Sequence, residues 1–322
     1  MTDHARQIPT ILDDLTRALE GRYVIGDSIG FGRAGMTVRA RRVSSGRNVA
    51  LKVAWDDRAA RAQVLRETAL TAKVKHPNVL PMRSIDALER MLVVEMPLAT
   101  GTVDDLIESG TPVPFERVLA IMTAAASALD VAHASGIVHG GLHPAKILID
   151  ESGECMLSDF SLRVPQVSAR DVAKPSLVGT PAYTPVEQRR DLPGVNGRVD
   201  QFALAVIAYE LLRGRRTWNV NEAGALEIEA VEIAAGRPIA PDVPMSASLA
   251  IKRATSREAN FRYKSVGEFV RGLSDASAQA IATEQIYRSD KPVQRRKSAV
   301  WLILLVGSLV AAGYWLRGGG VP

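Results

Sequence analysis

Cysteine is nearly absent: Cys155 is the single thiol in a chain of 322 residues. One thiol closes no internal disulfide, which excludes a disulfide-stapled scaffold and suits a reducing compartment. Its setting, CMLSDF, makes it a small core residue rather than a nucleophile. The five histidines and the cysteine form no Cys/His cluster with metal-ligand spacing, so no zinc-type centre is expected. Aromatic residues make up 5% of the chain and are nowhere interleaved with a basic run. The net charge of +5 is dispersed as pairs such as Arg41-Arg42, Arg189-Arg190 and Arg215-Arg216. That pattern is solvated surface, and no nucleic-acid partner is expected. The opening residues MTDHARQIPT carry no apolar run, so nothing is expected to export the body of the chain. There is no internal repeat and no low-complexity tract.

What the sequence does have is one long uncharged stretch near its end. Residues 298–316, SAVWLILLVGSLVAAGYWL, hold no charge over 19 positions. As a helix rising ~1.5 Å per residue they span roughly 28 Å, close to the apolar thickness of a bilayer. Trp301, Tyr314 and Trp315 lie near the two ends, where amphipathic rings favour the membrane interface. A single-pass transmembrane helix is therefore expected over 298–316. The basic cluster Arg295-Arg296-Lys297 places the preceding chain on the cytoplasmic side of the inner (cytoplasmic) membrane, with 317–322 as a short outer tail. Gly307 and Gly313 are not at the four-residue spacing that draws membrane helices together.

Ahead of that stretch the chain divides by pattern. Residues 1–21 read as a helical extension, with Ile8, Ile11, Leu12, Leu15 and Leu19 at helical spacing. From Tyr23 to Lys52 the pattern is strand-like, with turns at Gly32, Gly35 and SSGR. Residues 59–75 are helical, and Leu80 to Glu95 returns to strands, MLVVE being the strongest. Beyond TGTVDDL the chain is mostly helical, with long helices over Phe115–Ser135 and Asp200–Leu212, the second ended by Arg213-Gly214. The expected architecture is α+β: a β-rich lobe over about 22–96, a helical lobe over about 97–273, a polar linker over 274–297 and the membrane helix.

Gly30-x-Gly32-x-x-Gly35 alone is a weak phosphate-loop signal. A strand rather than a helix follows it, and then Val49-Ala50-Leu51-Lys52. Glycine loop, strand and V-A-x-K is the order found in protein kinases: the glycines let backbone close over phosphates, and Lys52 offers them a fixed cation. With RETALTAKVKHPNVL, MLVVEMP, SGIVHGGLHPAKILI, LSDFS, GTPAYTPVEQ, VDQFALAVIAYELLRG and REANFRYKSVGEF in the same order, the stretch from about Tyr23 to Leu273 resembles the bacterial Ser/Thr protein kinases. The resemblance implies a bilobal kinase fold. It further implies nucleotide contacts from Gly30, Gly32, Gly35, Ala50, Lys52, Glu67, Glu95 and Asp159, and a metal, Mg, on Asp159. It gives His139, Glu187, Asp200 and Arg262 structural roles, Glu187 being the partner of Arg262.

The departures fall on chemistry. Where the family reads H-R-D-L-K-P-x-N, this chain reads His139-Gly140-Gly141-Leu142-His143-Pro144-Ala145-Lys146. The proton-accepting aspartate is Gly141, the second metal ligand is Lys146, the lysine for the γ-phosphate is His143, and the arginine that clasps an activation-loop phosphate is Gly140. Phosphorylation at Ser168, Ser176 or Thr180 would thus lack its usual receiver. The DFG motif reads Asp159-Phe160-Ser161, the residue roofing adenine aligns with Thr37 beside Val38, and Pro97 falls where a hinge N–H meets adenine. Lys146 places an ammonium where a cation would sit, and either supplies that charge or repels the metal. Asp159 either binds metal or caps local amides, and His143 is either a base or a satisfied polar residue. Three readings follow: a membrane-tethered pseudokinase that binds signalling proteins and ATP, an active Ser/Thr kinase using Asp159 and His143, and a scaffold with an empty cleft.

Overall fold

The computed structural model describes residues 3–32, 35–55, 58–160, 181–189, 195–220, 226–228 and 238–275. The expected membrane span 298–316, its linker from 276 onward, and Ser168, Ser176 and Thr180 lie outside the described residues. Among the described residues no helix is long and apolar enough to cross a membrane.

The first lobe is a five-stranded antiparallel sheet built from β1 (Tyr23–Gly32), β2 (Gly35–Arg42), β3 (Asn48–Trp55), β4 (Ser84–Ala87) and β5 (Met91–Pro97), in the order β1-β2-β3-β5-β4. Side chains alternate between its two faces with the period of two that a strand imposes. Met36, Val38, Ala40, Val49, Leu51, Val53 and Val93 form the outer face, which is covered by Ile11, Leu15 and Leu19 of the N-terminal segment, α1 spanning Asp3–Ala18. Ala50, Ala54, Leu92, Val94 and Met96 form the inner face, covered by Ala60 and Val64 of α2 (Arg58–Thr71). Because both faces are covered, NVALKVA reads as a nearly continuous apolar run rather than an alternating one.

The second lobe packs α4 (Phe115–Ala134) against α6 (Arg198–Arg213), with α3 (Val103–Glu108) and the helices Met245–Ala254 and Val266–Leu273 around them, and the short α5 (Val186–Arg189) comes between α4 and α6 in the chain. α6 is apolar on nearly every side because it is surrounded, and it stops at Gly214, whose left-handed φ of 63° lets its N–H reach the carbonyls of Glu210 and Leu211. A three-stranded sheet of β6 (Gly101–Thr102), β7 (Ile147–Ile149) and β8 (Cys155–Leu157) lies at the border with the first lobe. Leu148 and Met156 from it pack onto the inner-face cluster of the first lobe, so an apolar seam joins the two lobes. The fold is bilobal, a β-sheet lobe followed by a helical one.

Candidate functional site

Lys52 projects from the inner face of β3, the same face as Ala50 and Ala54, because of the two-residue alternation. Its Nζ lies 2.8 Å from Glu67 Oε2 on α2 and 2.8 Å from Asp159 Oδ1 beyond β8. Glu67 is held in turn by Gln63, whose Nε2 donates to Oε1 at 2.9 Å. The second oxygen of Asp159, Oδ2, is taken by the ammonium of Lys146. Lys146 sits at the end of a 3-10 turn, Pro144–Lys146, with its N–H on the His143 carbonyl at 2.8 Å and its own carbonyl accepting from Ser158 N–H at 3.0 Å. Asp159 is the one non-glycine among the described residues with a left-handed φ, 59°, a conformation tolerated by a short polar side chain that is fixed by partners. Burial alone would raise its carboxyl; Lys146 and Lys52 outweigh that and hold it far below the usual carboxylate range. Burial would likewise lower the Lys52 ammonium, and Asp159 and Glu67 reverse the direction and raise it.

Below this group lies the loop His139–Pro144. Its backbone is pinned by Asp200 of α6, which is buried and accepts from His139 N–H at 2.9 Å and Gly140 N–H at 2.8 Å while its Oδ2 lies 2.7 Å from His133 Nε2. Gly140 carries a left-handed φ of 70°, which glycine adopts without strain. The His139 ring is fully buried against Phe160, centroids 4.9 Å apart, and neither ring nitrogen has a hydrogen-bond partner among the described residues. Burial lowers its pKa, so it is a neutral packing element. Phe160 N–H donates to Thr71 Oγ1 of α2 at 3.2 Å, and a column of contacts thus runs from α2 through Phe160 and His139 to α6. Arg262, whose side chain is 0% exposed, pairs with both oxygens of Glu187 at 2.6 and 3.2 Å. Thr71, His133 and Gln188, which donates to the Gly140 carbonyl, are members of this framework to which the sequence motifs assigned no role.

Among the described residues, a Cβ added at Gly141 would meet no atom within 4 Å. Among the described residues, the carboxylates of this framework are committed, Asp159 to two ammoniums, Asp200 to backbone and His133, and Glu187 to Arg262. His143 is pushed down to about 3, first by burial and then by the charge of Lys146, so its imidazole is neutral.

The glycine strands differ among themselves. Gly35, at φ 147°, lies so close to β3 that a Cβ would stand 2.0 Å from the Val53 carbonyl oxygen, so glycine is required there by packing. Among the described residues, a Cβ at Gly30 would meet only Thr37 Cβ, at 4.0 Å. Gly32 pairs with Gly35 at the end of the β1–β2 hairpin. Val38 belongs to the outer face, which leaves Thr37, its neighbour in the alternation, on the cleft side. Pro97 closes β5 opposite Val49 without an N–H to offer.

Glu95 requires a correction. It is cross-strand from Leu51 and shares that residue's outer face, away from Lys52 and Val94. There its buried carboxylate accepts from Tyr23 Oη at 2.5 Å and from Arg42, and its carbonyl accepts from Arg83 N–H at 2.9 Å. Glu95 therefore ties β1, β2 and β5 together, and its side chain does not line the cleft.

A nucleotide and a divalent cation were both implied for this cleft, and the residues treat them differently. Gly30, the apolar seam of Ala50, Met96, Leu148 and Met156, and the ammoniums of Lys52 and Lys146 suit a base and its phosphates. Magnesium demands several oxygens in a near-octahedral shell. Both oxygens of Asp159 already face ammoniums, and no group of three ligating side chains exists among the described residues. A dication held about 4 Å from one ammonium is opposed by about 8 kcal/mol at an effective permittivity of roughly 20. As arranged, the site does not fit the metal.

Comparison with known proteins agrees with this geometry. Residues 23–275 match the protein kinase domain. Similar curated proteins include the serine/threonine-protein kinase PknH of Mycobacterium tuberculosis, 27% identical over 271 residues that cover 82% of this chain and 43% of PknH. The probable serine/threonine-protein kinase PknB of Lactococcus lactis is 27% identical over 228 residues, 69% of this chain and 36% of its own. The DNA damage-responsive serine/threonine-protein kinase RqkA of Deinococcus radiodurans is 33% identical over 205 residues, 61% of this chain and 30% of its own. The chain spans less than half the length of each of these relatives.

Proposed function

The chain belongs to the protein kinase family, and we propose that this member is a pseudokinase: a membrane-tethered kinase-like domain that acts in signalling by binding partner proteins, with a cleft that accepts ATP but does not transfer its phosphate at signalling rates. The observation that carries the proposal is Gly141, a methylene at the position where the family holds its proton acceptor, with no atom of the described residues within 4 Å of where a Cβ would stand. A positioned base contributes ~10²–10⁴-fold, which takes a kinase turnover of roughly 1–100 s⁻¹ down to about 10⁻⁴–1 s⁻¹. His143 is neutral and carries no cation to a γ-phosphate, and Lys146 replaces the second metal ligand. Lys52, Gly30 and the apolar seam would hold the nucleotide. The tether rests on the uncharged run 298–316 with its flanking basic cluster, and places the kinase-like domain at the cytoplasmic face.

The second reading is an active Ser/Thr kinase with unusual residues. What favours it is that Lys52, Glu67 and Asp159 are assembled in one bonded set. Radiolabelled phosphotransfer with the full chain in detergent, beside Lys52→Ala and Asp159→Ala, separates the two. We expect incorporation at trace rates only, about 1 s⁻¹ at the very most. Turnover in the ordinary kinase range, lost in both variants, would replace the pseudokinase reading with the active one.

A further inference from the structure

We infer that the ammonium of Lys146 stands in for the divalent cation at Asp159, so that the cleft takes a nucleoside triphosphate without metal. This deepens the function proposed above and rests on its nucleotide-binding part.

Three features of the site carry it. The first is occupancy: Lys52 holds Asp159 Oδ1 at 2.8 Å and Lys146 holds Oδ2, so the carboxylate has a cation on each oxygen before any ligand arrives. The second is charge. Lys52 and Lys146 balance Glu67 and Asp159 within one connected set, which has no carboxylate in excess of its ammoniums. The third is access. The side chain of Lys146 is 29% exposed against 13% for Lys52 and 12% for both carboxylates, so it is the member of the set that reaches furthest toward solvent. An ammonium has three donors, and Asp159 uses one, which leaves N–H groups for phosphate oxygens. The backbone of Lys146 is fixed at both its N–H and its carbonyl, so the charge is delivered from a rigid base rather than from a loose surface chain.

The arrangement predicts that binding does not require metal. In a site that needs magnesium to screen phosphates from an aspartate, chelation abolishes binding. Here the screening charge is covalently part of the chain. Replacing Lys146 with asparagine would free Oδ2 and recreate a ligand pair with Asp159, so that variant should acquire the dependence that the natural chain lacks.

The test is calorimetric titration of ATP into the full chain in detergent micelles, once in EDTA and once with magnesium, for the natural protein, Lys146→Asn and Lys146→Arg. Circular dichroism shows that each is folded, and Lys146→Arg, which keeps the charge, controls for loss of packing. The natural chain and Lys146→Arg should bind in EDTA at least as tightly as with magnesium, which draws ATP into its metal complex, and Lys146→Asn should favour the magnesium arm by about tenfold or more, the factor that corresponds to 1.4 kcal/mol. Manganese resonance spectra give an independent reading: ATP should immobilise Mn²⁺ on Lys146→Asn and not on the natural chain. Binding by the natural chain only with magnesium overturns the inference and leaves nucleotide binding intact. Metal indifference in Lys146→Asn overturns the assignment to Lys146. Absence of binding in both arms overturns the inference together with the nucleotide part of the proposed function, and the phosphotransfer assay then bears on the empty-scaffold reading alone.

Discussion

Replacing Asp159 with asparagine removes one charge from the set Lys52, Glu67, Lys146 and Asp159 while keeping side-chain size and tolerance of the left-handed backbone at 59°. Lys52 would retain Glu67 at 2.8 Å, whereas Lys146 would lose the carboxylate it now pairs with. Removing one partner of a buried pair costs about 3–5 kcal/mol because the other charge stays behind. Side-chain exposures of 12% for Asp159 and 29% for Lys146 leave some solvent to screen that charge, which places the expectation near the lower end, about 3 kcal/mol. For a domain of this size, that lowers the melting temperature by roughly 6–12 °C. The sign is what discriminates. Where such an aspartate waits for metal, neutralising it in the apo protein relieves repulsion and is neutral or stabilising. Here it should destabilise. Urea unfolding of the natural chain, Asp159→Asn, Lys146→Met and the double variant closes a cycle, in which a coupling of at least about 1 kcal/mol between the two positions is expected. An Asp159→Asn variant as stable as the natural chain, or a coupling near zero, would refute the idea that these charges hold each other.

Two further outcomes follow from the same framework. His143 is neutral in the folded protein, titrating at about 3 rather than 6.5, so the unfolded chain takes up a proton that the native chain refuses. Stability is complete above about pH 6.5 and falls by about 1.4 kcal/mol per pH unit below it from this residue; urea midpoints measured between pH 7.5 and 5 should show that slope reduced in His143→Gln, and an unchanged slope would contradict the burial assigned here. Leu15 of α1 is 0% exposed against the outer sheet face, so Leu15→Ala should cost about 2–5 kcal/mol, read as a lowered melting temperature; a change below about 0.5 kcal/mol, typical of surface sites, would mean that the N-terminal helix is an ornament rather than part of the lobe.

The parts of this molecule that could be read from sequence are those governed by short periods and fixed intervals. Alternation over 23–52 and helical spacing over 115–135 correspond to β1–β3 and α4, and the motif order was enough to anticipate two lobes. The parts that could not be read depend on which way one side chain points. Glu95 lies beside the hinge in sequence, yet one step of the strand places it on the opposite face from Val94. The pairing of Leu51 with Glu95 across β3 and β5 decides this, and pairing register is a tertiary fact. α1 shows its apolar stripe plainly, but a stripe does not say which surface it covers, and that target is the back of a sheet whose own alternation is masked by burial on both sides.

Lys146 shows the same limit at the site itself. From sequence, a lysine in place of a metal ligand was compatible with two opposite effects, supply of the missing charge or expulsion of the ion. Those alternatives are distinguished by where a four-carbon side chain ends, and propensity says nothing about that. The 3-10 turn after Pro144 fixes the origin of the side chain, the left-handed turn at Asp159 presents a carboxylate to meet it, and the ion pair between residues 13 apart is the consequence. Once that pair exists the alternatives cease to be opposites. An ammonium seated on Asp159 expels a dication by repulsion and supplies a charge for phosphate by the same placement.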